Sequence, residues 1–509
     1  MTRIQNVKRN TTYSIVKFAV QLVLQFVLRK VLIDTLGAKY LGVNGLFTNI
    51  FSLLNLAELG IGSAIVFSMY KPIAEGNMEQ VKALNNLYKK LYFIIAFVVG
   101  VLGAAITPFL PYLISGDTAG LEINIYIVYL LFLANTLIGY FSAHKRSLLF
   151  AFQRNDVENK VKSGVLIVST VLQIIALLLF KSFYAYVILM VVGTLLDCIL
   201  VQVFANKLYP EINGKAEPLN PVIKKEITKN VAAMSLHKIG GAVVFSTDNI
   251  LISALVSYIV LGYYSNYVLI TTSVTALIGI FSTSMQASVG SYIQEKDKNS
   301  VYHFYLKTNF LFAWLSGFCT ICLLCLFQPF IYIWTGNKEY LLPEISVFLI
   351  VISFYLSKMR TNTSMFKDCA GLMWQDRWKP IAESVINLVA SIVLAKYLGL
   401  NGIILGTIIS TIVAPLWVEP FVLYKHYFKK SVWRYFGKYA FYTVVTVGAG
   451  ALTYWLCSLL PFAGIGWFVL KCGICLVVPN LIFLLCYFKT SEFKDVLDLG
   501  KQVLKKKNK

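Results

Sequence analysis

The chain has 509 residues, 58% of them hydrophobic and 14% charged, with 46 Lys and Arg against 24 Asp and Glu and a formal net charge of +22. A soluble globular chain carries roughly 45–50% apolar and about 25% charged residues, so these figures exclude a water-soluble protein and make the basic excess a question of membrane topology. At about 20 apolar residues per crossing, the hydrophobic fraction supplies about 14 spans, which predicts an all-α polytopic membrane protein and not an anchored enzyme.

Apolar windows place the spans at 12–36, 43–69, 91–114, 123–143, 162–180, 184–206, 231–256, 263–290, 304–328, 344–366, 380–398, 401–424, 438–460 and 465–488. The first is read as a retained span: it exceeds the length of a cleaved leader, carries Lys17 and Arg29, and ends on no small-x-small site. After the sixth span comes the longest polar stretch, 207–230, broken by Pro210, Gly214, Pro218 and Pro221. The expected layout is an N-terminal six-helix lobe (1–210), a cytoplasmic linker (211–230), a C-terminal six-helix lobe (231–425), two additional transmembrane helices (426–488) and a basic cytoplasmic tail (489–509). Because six is even, resemblance between the lobes implies a two-fold axis along the membrane normal. An echo of this kind joins Tyr40-Leu41-Gly42-Val43-Asn44-Gly45, Val260-Leu261-Gly262-Tyr263-Tyr264-Ser265-Asn266 and Tyr397-Leu398-Gly399-Leu400-Asn401-Gly402.

With the N-terminus inside, the cytoplasmic segments hold 37 of the 46 Lys and Arg, whereas the opposite loops hold only Lys39, Lys181, Lys338 and Lys396. The positive-inside rule then puts both termini in the cytoplasm, and the net charge becomes an orientation signal instead of a nucleic-acid footprint. The tail from Ser491 reads as an amphipathic helix, with Phe493, Val496, Leu497, Val503 and Leu504 on one side and Lys505-Lys506-Lys507 at its end, suited to anionic membrane lipid. Most of the nine cysteines sit in apolar runs, as Cys198, Cys319, Cys322, Cys325, Cys457, Cys472, Cys475 and Cys486 do, and read as small hydrophobes. Four His add no metal set of the usual spacing.

An ionised group at mid-membrane costs about 2.5–3.5 kcal/mol on insertion scales, so polar residues inside spans carry information. In span one, Tyr13, Lys17, Gln21, Gln25 and Arg29 recur every fourth residue, a stripe about 18 Å tall from Lys17 to Arg29. Snorkelling of Lys17 to the interface is the competing reading. Span two places Ser52, Asn55, Glu58 and Gly62 together; Glu58 is either the partner of a cation such as Arg29 or a proton or cation site. Span seven puts His237, Gly241, Val244 and Asp248 on one face, flanked by Lys238 and Asn249, and span eight lines up Thr271, Thr275, Ser282 and Gln286. Asp197, Glu383 and Glu419 are candidates of lower weight, and Pro415 predicts a kink or a hinge in span twelve. A polar seam drawn from equivalent spans of two lobes suits an alternating-access transporter.

The stretch Arg29-Lys30-Val31-Leu32-Ile33-Asp34-Thr35-Leu36-Gly37, the run from Tyr40 to Phe47, the run from Ala57 to Ala64, Tyr70-Lys71-Pro72, and Thr247-Asp248-Asn249-Ile250-Leu251-Ile252-Ser253 with Leu261 to Tyr267 resemble bacterial polysaccharide repeat-unit flippases. These are Wzx-type members of the multidrug/oligosaccharidyl-lipid/polysaccharide exporter superfamily. The resemblance implies two six-helix lobes around a central lumen plus two C-terminal helices. It also implies translocation of undecaprenyl-diphosphate-linked oligosaccharide between leaflets of the bacterial plasma membrane for capsule or exopolysaccharide synthesis. Arg29, Lys17 and Lys238 become the expected diphosphate contacts, because hiding a lipid diphosphate requires fixed cations in a wet cavity. Glu58 and Asp248 become counter-ion or coupling sites, and Gln21, Gln25, Asn55, Asn249 and His237 further polar groups of the lumen. No cofactor or metal is expected beyond a coupling Na+ or H+. Partners are the lipid-linked oligosaccharide, membrane lipids and other polysaccharide-assembly membrane proteins. A cation-coupled multidrug exporter of the same superfamily is the nearest alternative, since fold does not decide substrate. A membrane polymerase or glycosyltransferase is remote, because the extracellular turns are poor in clustered carboxylates, His or Arg.

Overall fold

Lipid offers the backbone no hydrogen-bond partner, so apolar runs of this length must close their own N–H and C=O groups as helices. The computed structural model describes residues 3–55, 61–115, 121–214, 219 and 247–497. Among these residues the regular structure is helical with no strand, and ten helices are long and apolar enough to cross a membrane. Glu58, His237, Lys238 and the tail beyond 497 lie outside the described residues.

By internal contacts the chain divides into two compact units, Met1–Gly262 and Tyr263–Lys509. The first contains α1 (Arg3–Leu36), α2 (Ala38–Leu54), α3 (Ile61–Ala74), α4 (Met78–Ile106), α5 (Ile125–Tyr140), α6 (Ala143–Ala151), α7 (Asn155–Phe180) and α8 (Phe183–Leu208). Here α7 lies along both α1 and α8, α8 packs on α5, and α5 on α4. Gly193 lets α8 approach α7 so closely that an added Cβ would stand 2.9 Å from Ser169 Cβ. Val66, Met69, Leu84, Tyr88, Tyr92 and Tyr140 build a core between α3, α4, α5 and α6.

The segment Thr247–Val256, the outer end of predicted span seven, also belongs to this unit. Ser253 Oγ donates to Leu113 O at 2.7 Å, and Ser115 Oγ donates to Ala254 O at 2.6 Å. The backbone bonds Ser115 N to Ser253 O and Tyr258 N to Ser115 O, each 3.1 Å, hold the same junction. The glycines of the echoed motifs meet here: a Cβ on Gly262 would lie 2.7 Å from Ala38 O and 3.1 Å from Gly42 N, while one on Gly42 would collide with Tyr258 O. The first compact unit runs through this junction to Gly262.

The second unit takes most of α9 (Tyr258–Glu295), then α10 (Lys298–Thr335), α11 (Glu344–Met359), α12 (Thr361–Cys369), α13 (Lys379–Leu398), α14 (Leu400–Val413), α15 (Pro415–Val422), α16 (Trp433–Ser458) and α17 (Ile465–Tyr487). Asp297 caps α10, accepting from Ser300 Oγ and from the Asn299 and Ser300 amides; those bonds, the hydroxyl's first, hold its carboxyl below the usual range. The helix breaks at Pro415, as the sequence predicts, with α14 ending at Val413 and α15 starting on the proline, which has no N–H to return. A Gly-x-x-x-Gly step, Gly402 and Gly406, seats α14 on α13: a Cβ on Gly406 would lie 2.6 Å from Ser391 N. α16 and α17 pack against α10 and each other through Phe310, Trp314, Tyr442, Phe483 and Tyr487. Phe493 and Val496 join this core, so the described start of the tail faces protein and not lipid; Leu497 is exposed.

The repeat is visible in helix lengths. A 16-residue helix followed by a nine-residue helix occurs at α5–α6 and again at α11–α12, the fourth span of each predicted lobe.

Candidate functional site

The polar stripe of α1 is continuous in the structure. Lys17 and Arg29 are half-buried, and Gln21 and Gln25 are exposed. Its lower end is anchored on α7: Lys160 Nζ sits 4.4 Å over the Tyr13 ring, and Asn159 Nδ2 donates to Ser14 Oγ at 3.0 Å. Higher up, Gln25 lines an open cavity of about 310 Å³ between α1, α7 and α8. Lys162, Thr170, Gln173, Tyr186 and Asp197 supply most of the cavity's other polar lining. Arg29 follows one turn beyond Gln25, in the neighbourhood of Tyr186. One polar residue in each turn of α1 therefore gives that helix a polar face in an otherwise apolar bundle.

The base of this cavity is an ion cluster. Asp197 is 3% exposed and stands about 17 Å from the Leu208 end of α8. Arg146 of α6 donates to it at 2.5 Å, and Lys162 of α7 at 3.4 Å. Arg146 also meets Glu158 of α7 at 3.3 Å. Two cations and two carboxylates make the cluster neutral, which is the condition for burying charges in a low-dielectric interior.

The second unit contains a counterpart. Glu419 of α15, 1% exposed, accepts from Lys379 of α13 at 2.5 Å and from Arg360, at the α11–α12 junction, at 3.0 Å. Arg360 reaches Glu383 of α13 at 3.8 Å. The neighbouring pair Lys367–Asp376 extends the network, with Lys379 3.8 Å from Asp376. Arg360 lines a polar cavity of about 300 Å³ together with Ser282, Gln286, Lys358 and Asp368. Both clusters join an Arg at the end of a fourth span, an i,i+4 Lys/Glu pair opening a fifth, and a carboxylate deep in a sixth.

The predicted residues fall as follows. Gln25 lines the first cavity, while Arg29 lies one turn beyond it and Lys17 and Gln21 lie further down the same stripe. Asn249 Nδ2 donates to Asn49 Oδ1 at 2.9 Å, tying the span-seven segment to α2, and Asp248 beside it is half-buried. Asn55 is not at the cavity; it accepts from Tyr140 Oη at 2.5 Å. Ser282 and Gln286 of the span-eight stripe reach the second polar cavity. Sequence pattern alone gives Asp197, Glu383 and Glu419 low weight and counts Arg146, Lys162, Arg360 and Lys379 as orientation charges. The signal that points to them is the i,i+4 opposite-charge pair, Glu158/Lys162 and Lys379/Glu383, at the mouth of an apolar helix.

A helical bundle of this construction, with ion clusters beside its cavities, is a multi-pass membrane fold. No family model and no curated protein matches the sequence. Among solved structures, the chain is similar to the lipid II flippase MurJ in an inward closed conformation, at 14% identity and a TM-score of 0.67, over 94% of this chain and 98% of that one. It is also similar to a multidrug resistance MATE family transporter of the MOP superfamily in an inward-facing conformation, at 16% identity and a TM-score of 0.60, over 79% and 94%. A MOP superfamily transporter from Pyrococcus furiosus aligns at 15% identity with a TM-score of 0.55, over 84% and 96%. Identities this low establish a shared fold and leave the substrate open.

Proposed function

We propose that this protein is a flippase that moves undecaprenyl-diphosphate-linked oligosaccharide repeat units from the inner to the outer leaflet of the bacterial plasma membrane by alternating access, serving capsule or exopolysaccharide synthesis. The observation that carries the reading is the stripe of α1, where Lys17, Gln21, Gln25 and Arg29 climb the helix and Gln25 lines a cavity that also takes in Lys162, Gln173 and Asp197. A lipid diphosphate brings about two negative charges into the membrane and needs such a ladder of fixed donors. Arg29 is the principal contact, since a guanidinium grips phosphate oxygens in a bidentate fork while an ammonium acts as a point charge; Lys17 and Lys238 assist. Asp248 and Glu58 serve as counter-ion or coupling groups for Na+ or H+.

The similarity to the lipid II flippase over nearly the full length of both chains supports this reading. The similarity to a MATE transporter supports the second one, a cation-coupled multidrug exporter. One experiment separates them. Depletion of the protein is expected to raise the pool of lipid-linked oligosaccharide measured by mass spectrometry, and Arg29→Ala at equal expression is expected to reproduce the rise, with Arg29→Lys intermediate. An unchanged pool with altered drug tolerance would establish the exporter instead. Normal surface polymer from both Arg29→Ala and Asp248→Ala would overturn the assigned site.

A further inference from the structure

Three cysteines far apart in the chain meet inside the second unit. Cys325 of α10, Cys457 of α16 and Cys475 of α17 are buried, and their Sγ atoms all lie within 4.8 Å of one another. Metal–sulfur bonds of about 2.3 Å put thiolates of one tetrahedral site about 3.8 Å apart, so the three thiols already stand at near-ligating separations. Cys325 and Cys457 also line a cavity of about 500 Å³, which gives the cluster an entry path. Lys471 lines the same cavity one turn before Cys475 and is 4% exposed. Its ammonium lies 6.0 Å from the Phe462 ring centroid. The cavity's remaining charged group, Glu344, is exposed. The transport reading uses neither the thiols nor this lysine.

We propose that Cys325, Cys457 and Cys475 bind one thiophilic divalent cation of the Zn2+ type as three thiolates, with Lys471 balancing the charge. Three thiolates and a divalent ion carry a net charge of −1, and the buried ammonium brings the site to neutrality, which a monovalent ion would not achieve. The three thiol protons leave through the cavity as the ion enters, and the fourth coordination position faces the cavity. Bound metal fastens α16 and α17, the two helices beyond the second lobe, to α10.

Cd2+ serves as the probe, titrated into the reduced full-length protein in detergent. The expected result is one ion per chain, a thiolate-to-metal charge-transfer absorbance in the ultraviolet, and a rise in Tm. The band should survive Cys486→Ser, which removes the exposed thiol, and vanish in Cys475→Ala. Lys471→Gln should weaken binding about tenfold, the low end for a supporting group around a metal site. Because Cys475→Ala could fail to fold, the unmodified protein decides by itself. Absence of the band and of the Tm rise at one equivalent, or thiol titration showing two of the three joined in a disulfide after reduction and reoxidation by air, overturns the proposal.

Discussion

At the level of single residues, Glu419 shows how charge is held inside this bundle. It is buried between Lys379 and Arg360, so removing it leaves two cations without their shared counter-ion. Breaking a buried pair by deleting one partner costs about 3–5 kcal/mol, whereas replacing the whole set by apolar groups of similar size is often neutral. Glu419→Ala is therefore expected to lower the melting temperature of the purified protein sharply, with Glu419→Gln intermediate. Replacement of the whole set, Glu419→Leu and Glu383→Met with Arg360→Met and Lys379→Met, should recover much of the loss in the same thermal scan, since Asp376 keeps Lys367. Equal melting curves for Glu419→Ala and the parent would remove the network from the account of stability. This carboxylate and its equivalent Asp197 are legible in the sequence as charges inside apolar runs, but their partners are not. Arg146 lies 51 residues from Asp197 and Arg360 lies 59 from Glu419, and no local pattern spans such distances.

Between elements, the close approach of helices depends on glycines at defined places. Gly402 and Gly406 let α14 lie against the backbone of α13, and Gly42 and Gly262 do the same for α2 and the start of α9. Overpacking a tight contact costs about 1–3 kcal/mol. Gly406→Val should thus destabilise the second unit by roughly that amount in a denaturant titration, while Gly437→Val, at an open position, should have a much smaller effect. Similar losses from both substitutions would mean that helix propensity, and not close approach, sets the cost. The echoed Tyr-Leu-Gly motifs are legible as a repeat in the amino-acid order itself. That two of their glycines touch is not, because a repeat in sequence does not say which copies pack together. Pro415 is legible as a kink or break, since its missing N–H removes a helix bond, but that it breaks the helix is decided by packing: Pro329 and Pro479 sit inside continuous α10 and α17.

For the whole molecule, the distribution of cations makes the strongest statement about orientation. With 37 of 46 Lys and Arg in one set of loops, a single cysteine introduced at Lys338 is expected to react with a membrane-impermeant maleimide in intact cells. One introduced at Lys298 should react only after permeabilisation, and the opposite pattern would invert the topology. The sequence by itself determined that the chain is a polytopic helical membrane protein, roughly where its helices run and which charges sit at their ends. It could do so because hydrophobicity, helix length and loop charge are local quantities that a lipid bilayer reads one span at a time. Only the tertiary structure decided which of the remaining polar groups meet. The two ion clusters, the cavity beside Gln25 and the convergence of Cys325, Cys457 and Cys475 are built from residues on different helices. Their energies exist only once those helices are packed and water has been excluded from between them.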